Sequence, residues 1–580
     1  METVYSDYRI LKENRIFKTE DGRTYPASVK ISLLDREGRE ITTKIFGLAD
    51  NQYIYKMISE GRDLILDNLY IKDFSLEEYR RIMNIDKKTI IPIKSLSAKN
   101  AFFESSLCND FSHASFSEGE VNFDGAHFAE GRVSFTGTSF GKCIVVMSNT
   151  FFKNGNIEFN GTKFNGGDFL FKNAIINDGV KDFQDMHFGS GELNFANTEF
   201  HSGEILFINS HFYCNRFIFK FSRIIEGKLD FHYSVFNDSD INFERAEFGN
   251  TRVDFRAVDF GTGKVNFNRS IFGNGEINFE GATGKCSKLL FKRTVMGDGL
   301  KNFSLIEMEN TECSFDKTFF GNGDVTFNHS IFGTLSLKSC HLNQYFDLRL
   351  TKSDLLDLSD TIVRDIVDLE PYDFPVRIEL MNFTGMRLIG KIYIDWIQNR
   401  CCDMIMKQGD TSLRQKSEQF RILKENFNGT GKYSDEDKAY VMFKRFEELS
   451  WLSNQKSKGR LISLMSRVTY GLKWFIFDAM GLYATSPVRV LLSMIAGYVF
   501  FSLIYIIIII TTGSDIVSST SYRLGIVARS FYHSAITFFT IGYGDHFPVG
   551  GARIVSSVEG FTGVFLMAYF TVAFVRKVLR

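Results

Sequence analysis

The segment Thr540-Ile541-Gly542-Tyr543-Gly544-Asp545 has the composition most directly tied to chemistry. Its two glycines alternate with bulkier residues, and each can take a left-handed backbone that other residues resist. Successive carbonyl groups can then be turned toward one axis. Carbonyl oxygens arranged that way replace the water shell of a cation, and the Thr540 hydroxyl can add an oxygen at one end. The chemistry would be the handling of a desolvated ion. A bare Gly-Tyr-Gly is also an ordinary turn, so its flanks must decide between the two.

Those flanks are apolar. Val490 to Ile510 is almost wholly hydrocarbon, and a second stretch runs from about Val555 to Val575 with one acid, Glu559. As a helix the first would be ~32 Å long, enough for a ~30 Å bilayer core. Lys456, Lys458, Arg460, Arg467, Lys473 and Arg489 precede the first stretch; Arg576, Lys577 and Arg580 follow the second. The intervening loop holds Arg523, Arg529 and Arg553. This asymmetry predicts a multi-pass protein of the plasma membrane with both termini in the cytoplasm.

Apolar span, short helix from about Arg529 to Phe539, Thr-Ile-Gly-Tyr-Gly-Asp and second span together resemble the pore of the two-transmembrane potassium channels, over roughly residues 487–580. The family's filter reads Thr-Val-Gly-Tyr-Gly. The resemblance implies a selectivity filter formed by Thr540, Ile541, Gly542, Tyr543 and Gly544, with potassium held by the carbonyls of Thr540, Ile541, Gly542 and Tyr543. It implies that Tyr543 and Asp545 face away and brace the filter, with Ile536 and Tyr532 as further support. One chain supplies a quarter of each oxygen ring, so a homotetramer is implied. Two positions depart from the family: Phe539 stands where many members have a second Thr, and Ile536 where some have a carboxylate. Gly560 and Gly563 are candidate gate hinges, with close helix packing as the alternative for either. Glu559 is a candidate functional acid because charge is costly inside a membrane, or else a tie to the filter scaffold. His546 reads as an exposed loop residue.

Beyond the spans, composition supplies the next clue. The chain has 61 Phe among 580 residues and only six Pro, with formal charge near zero. No nucleic-acid partner is expected. The eight Cys show no Cys-x-x-Cys pairing and read as reduced thiols. No secretory leader is evident, and the fingerprints of nucleotide, metalloprotease and hydrolase sites are missing, so neither an enzyme nor a bound cofactor is expected.

The Phe excess resolves into a ladder. Phe recurs at every twelfth position from Phe111 to Phe327, with Met147 as the one replacement, and a second series follows five positions later, as at Phe128, Phe140 and Phe164. An aliphatic residue often stands two before the first Phe, as at Val121, Ile157 and Leu193. The i, i+2 apolar pair faces one side of a short strand, and an uninterrupted period is what stacked coils require. The expected fold is an all-β right-handed solenoid over 106–395, with a coil of two such repeats, twenty-four positions, favoured over a coil of one. Its Phe-x4-Phe unit resembles pentapeptide-repeat proteins, although the spacing here alternates five and seven. Residues 1–105 read as a small α+β cap with a helix near Leu76 to Met83.

Residues 396–486 read as a helical hairpin linker and an interfacial helix, Lys473 to Asp478; 487–580 form an all-α pore domain. Expected boundaries there are spans at 490–511 and 555–576, with pore helix and filter at 529–545. The whole chain is thus expected to be a multidomain potassium channel whose N-terminal cytoplasmic solenoid gates or regulates passive conduction. With so little chain after the second span, any ligand or protein partner is expected to act from the N-terminal side. The alternatives are a scaffold whose solenoid binds a partner and uses the pore as effector, and a non-selective cation channel.

Overall fold

The computed structural model describes residues 4–579 except 118, 457–459, 522 and 523. Lys458, Arg523 and Arg580 of the charge count therefore lie outside the described residues. The chain divides into two units, Met1–Gln408 and Gly409–Arg580.

In the first unit Asp7–Glu13, Ser28–Leu34 and Glu40–Leu48 form an antiparallel sheet. Its last strand runs directly into a β-solenoid of about 14 turns over residues 47–393. One face is a 14-stranded parallel sheet from Leu64–Ile65 to Ile378–Asn382. Stacking thus begins near Gly47, well inside the stretch read as a separate cap. The early coils carry mainly Leu, Ile and Tyr, and their buried Phe74, Phe102 and Phe103 lie off the 12-residue spacing, so the ladder does not announce them. Two short helices, α1 (Asn51–Ser59) and α2 (Leu76–Ile82), interrupt these first turns.

The coil length is 24: Val133 pairs with Ile157, and Ile157 with Lys181. The 12-residue ladder therefore splits into two columns. Phe207, Phe231 and Phe255 stack at 4.6 and 5.0 Å, nearly parallel, as do Phe243, Phe267 and Phe291 at 4.7 and 4.8 Å. Across the coil the columns meet edge to face, as for Phe243 and Phe255 at 5.9 Å and 84°. Both arrangements suit the ring quadrupole, and alternating them lets a narrow coil hold two rings per turn. Three residues after many of the Phe stands a buried Ser or Thr. The hydroxyls of Ser210, Ser234, Thr294 and Ser330 donate to carbonyls of Phe one coil earlier, at 2.5–2.9 Å. Near the end Leu337, Leu348, Leu358 and Leu369 take over the column, and the coil contracts: Ile331 pairs with Lys352, and Phe346 with Val367. Helix α3 (Cys401–Met406) follows.

The second unit is helical. Helix α4 (Leu413–Gly429) opens on a capping box between Ser412 and Gln415. Helix α5 (Tyr433–Lys456) turns back along it. Helix α6 (Arg460–Lys473) leads without a break into a π-helical turn, Trp474–Ala479. The helix expected at Lys473–Asp478 is thus one piece of a longer helical run. Helix α7 (Pro487–Thr512) starts with Ser486 as cap and Pro487 in the first turn, where the ring is tolerated. Helices α8 (Ile526–Phe538) and α9 (Ala552–Val578) follow, with strands Asp515–Ser518 and His546–Val549 paired between them and α7.

Candidate functional site

Helices α7 and α9 are each long and apolar enough to cross a membrane, and only 22% of each apolar window is buried. A soluble core helix would be mostly covered; these present hydrocarbon outward. Helix α8 lies against both and is too short to span. Its C-terminal end delivers the chain into Thr540–Asp545.

That turn is held from behind. The Ile541 and Gly542 amides both donate to the Ile536 carbonyl, at 2.9 and 3.1 Å, and the Thr540 amide to Thr537 at 3.2 Å. The backbone is left-handed at Thr540 (φ 57°), Gly542 (63°) and Gly544 (74°), alternating with Ile541 and Tyr543. Glycine makes two of these positions inexpensive, and Thr540 bears the steric cost of the third. Beyond it, the Tyr532 hydroxyl donates to Asp545 at 2.9 Å. Ile536, Tyr532 and Asp545 therefore meet the turn, through a backbone carbonyl in the first case and side chains in the other two. Ile541 is 50% and Tyr543 71% exposed. In a single chain the turn has a back but no front.

Glu559 on α9 is fully buried behind α8. It accepts from Tyr505 of α7 at 2.6 Å and from Ser534 of α8. One carboxyl group thus joins all three helices. His533 supplements it, with Nδ1 3.3 Å from the His546 carbonyl and Nε2 3.3 Å from the Ser556 hydroxyl. His546 is not an exposed loop residue: it is buried, its ring 4.9 Å from Tyr532. The strand pairing of His546–Val549 with Asp515–Ser518 draws it inward. The two glycines also separate. A Cβ on Gly563 would fall 2.0 Å from the Phe538 carbonyl, whereas on Gly560 the nearest atom, of Thr537, is 3.9 Å away. Gly563 is small because α8 ends against it.

A further cluster escaped the sequence reading. Arg576 near the end of α9 reaches Glu436 at 3.3 Å and Asp437 at 3.0 Å in the first turns of α5, and Lys577 reaches Asp437 at 2.9 Å. Arg576 also lies 4.4 Å from the Tyr440 ring centre. Acids suit a helix N-terminus, and Ser434-Asp435-Glu436-Asp437 reads as no more than that. Partners so far apart in the chain leave no local signal. Further along α5, Arg445 holds the buried Asp478 through two hydrogen bonds of 2.7 and 2.8 Å, and Lys473 meets Glu448 at 3.0 Å. The Tyr569 hydroxyl of α9 donates to the Phe477 carbonyl at 2.9 Å. Both ends of the two-helix membrane unit are thereby tied to α5 or to the turn before α7.

Two membrane-length helices flanking a short helix and an oxygen-bearing turn define a pore-type domain. Residues 492–580 match the model of a family described as "Ion channel", Ion_trans_2. The match supports an ion channel, its membrane part in the C-terminal unit. Comparison with curated proteins and with solved structures gave no match. All eight cysteines are free thiols, and among the described residues no group of three or more His, Cys, Asp or Glu is placed to hold a metal.

Proposed function

We propose that this chain is one of four identical subunits of a potassium-selective channel, with Thr540–Gly544 lining the ion path. The observation that carries this reading is the alternation of left-handed backbone at Thr540, Gly542 and Gly544, pinned to the Ile536 carbonyl. Alternation turns carbonyls toward a shared axis, where they replace the ion's water. The exposure of Ile541 and Tyr543 fits a turn completed by neighbouring copies around a fourfold axis. The permeant ion needs no resident cofactor. Both termini lie on the cytoplasmic side of the plasma membrane, on the strength of the flanking Lys and Arg.

Regulation enters through α5. Arg576 and Lys577 end the inner helix and are paired with Glu436 and Asp437. A displacement of the α4–α5 hairpin therefore pulls on the end of α9. The solenoid, continuous in sequence with that hairpin, is the receiver of the stimulus, whether a ligand or a protein.

The deciding experiment is the reversal potential of the full chain in planar bilayers under opposed potassium and sodium gradients. A reversal near the potassium equilibrium potential is expected. A value near zero would replace potassium selectivity with non-selective cation conduction. Absence of any current from correctly assembled tetramers would leave the solenoid as the working part.

A further inference from the structure

The solenoid carries a column of cations outside its ion pairs. At one corner of the coil the residue is left-handed in turn after turn. In three early coils it is Asn149, Asn173 and Asn197, with φ of 56–58°. Asparagine tolerates this conformation, and the Asn173 amide donates to Asn149 at 3.2 Å. Phe221 follows in the column, and after it come Arg245, Arg269, Arg293 and Lys317, with φ of 57–60°. All four are exposed. Neighbouring coils are ~4.8 Å apart, so the column sets four like charges within ~15 Å. Among the described residues none of the four forms an ion pair. Arg245 lies over the Phe221 ring, 5.6 Å away. Nearby charges are otherwise engaged: Lys292 with Asp316 at 3.3 Å, and Glu247 with Arg223 at 3.6 Å. Glu244 is the one other acid beside the column in sequence.

Two residues along each turn lies a second column. Ile271, Val295 and Phe319 are bridged in parallel register and are 47, 42 and 49% exposed. The residues between the columns, Ser270, Thr294 and Thr318, point inward and bond to Phe carbonyls. Three successive coils thus repeat cation, buried hydroxyl, exposed apolar residue. Neither column helps the fold. The cations repel, they occupy a backbone conformation better suited to Asn, and the apolar side chains stay in water.

We propose that this two-column strip is a docking surface for an anionic bilayer surface. Charge complementarity selects the partner. Cations at regular spacing attract acidic headgroups, while Ile271, Val295 and Phe319 sit at the level of the acyl boundary. A polar polyanion such as nucleic acid would use the cations and leave the apolar column uncovered.

The test uses the full chain held in nanodiscs of neutral lipid. It is mixed with sucrose-loaded vesicles of phosphatidylcholine, with or without about a third phosphatidylserine, and pelleted. Binding is expected with the acidic vesicles only, weakening as salt rises. R245N/R269N/R293N/K317N should cut the bound fraction about tenfold or more, and V295S/F319S several-fold. Asparagine already occupies this corner in other coils, so the first variant keeps the fold, and an unchanged circular dichroism melt would verify it. Equal pelleting with neutral vesicles overturns the proposal. So does undiminished binding by the Asn variant, or capture of the wild type by heparin without capture by acidic vesicles.

Discussion

The solenoid and the membrane unit solve opposite problems. In the solenoid every ring of the Phe columns finds its neighbours within one chain, and residues such as Phe243, Phe255 and Phe267 have no exposed surface. In the membrane unit the turn at Thr540–Gly544 is secured on one side and left open on the other. A structural repeat is complete alone, while the pore element is, in the proposed assembly, completed by neighbouring copies. The burial of a conspicuous residue therefore says more about its role than its conspicuousness in sequence. Phe255 and Tyr543 are equally prominent there, yet one is sealed and the other 71% exposed.

Breaking the open side should have the largest effect. Ala at Gly542 or Gly544 meets no atom within 4 Å but must adopt φ of 63° or 74°. That costs roughly 1 kcal/mol or more per chain, and in the proposed assembly every copy bears it. G542A and G544A are expected to abolish potassium selectivity while leaving assembly intact. The permeability ratio from bi-ionic reversal potentials and the oligomer size on gel filtration check the two halves. T540G is the sharpening control: it relieves the left-handed backbone at that position while removing the whole Thr side chain, hydroxyl included. If G544A stays as selective as the wild type, the alternating backbone is not what handles the ion.

The closed side should fail differently. F255A removes a ring stacked 5.0 Å from Phe231 and 4.8 Å from Phe279. A loss of about 3–5 kcal/mol is expected, read as a lower melting transition of the solenoid, with the permeability ratio of surviving channels unchanged. A changed ratio would mean that the two regions are not separable in the way their packing implies.

Much of this division could be read from spacing. The 12-residue period predicted stacked coils, and the i, i+2 apolar pairs predicted the strands, because side-chain alternation and stacking register are properties of local sequence. The spans and the alternating glycines are local in the same sense. What escaped was long-range. The early coils carry few Phe, and Phe74, Phe102 and Phe103 lie off the 12-residue spacing, so nothing periodic marks Gly47 as their start. The contraction near Ile331 is a shorter run of chain per coil, with Leu337, Leu348, Leu358 and Leu369 spaced by 10 and 11 instead of 12, and the change from Phe to Leu hides it from a search for Phe alone. Gly563 could be hinge or packing site until the approach of Phe538 was known. The Arg column became evident only at a stride of two repeats, which the shorter period had obscured.

Two buried lysines interrupt the aliphatic stacks and carry a pH signature. Lys181 pairs in register with Ile157 and Ile205, and Lys301 with Ile277 and Val325. Burial lowers each to about 8 from an ordinary 10.5. Between those values the unfolded chain binds more protons than the folded one, so stability rises as pH increases from about 8 to 10.5 and is lowest below 8. K181I/K301I should flatten that slope and stabilise the solenoid near neutrality by up to about 3 kcal/mol per site. The Lys181 ammonium bonds Gly179 and Ser202 carbonyls, and the latter keeps the Gly179 amide as partner. Melting temperature against pH for both chains is the measurement; parallel curves would rule out these lysines as its source.

The smallest expected effect addresses the link between hairpin and inner helix. Asp437 is 10% and Glu436 1% exposed at the side chain, and Arg576 is 18%. A partly buried, multiply bonded cluster holds more energy than a surface pair, and a coupling of about 1–2 kcal/mol is expected between hairpin and inner helix. K577D should shift the open probability of the channel by roughly five- to thirtyfold at fixed permeability ratio, since about 1.4 kcal/mol is a factor of ten. D437K/K577D restores opposite charges across the same 2.9 Å contact but sets a cation beside Arg576, which Asp437 meets at 3.0 Å, so it should return only part of that shift. A rescued open probability locates control at the α5–α9 contact. Equal defects in the single and double variants would mean that Asp437 and Lys577 act separately, and that the hairpin does not pull on the pore through this pair.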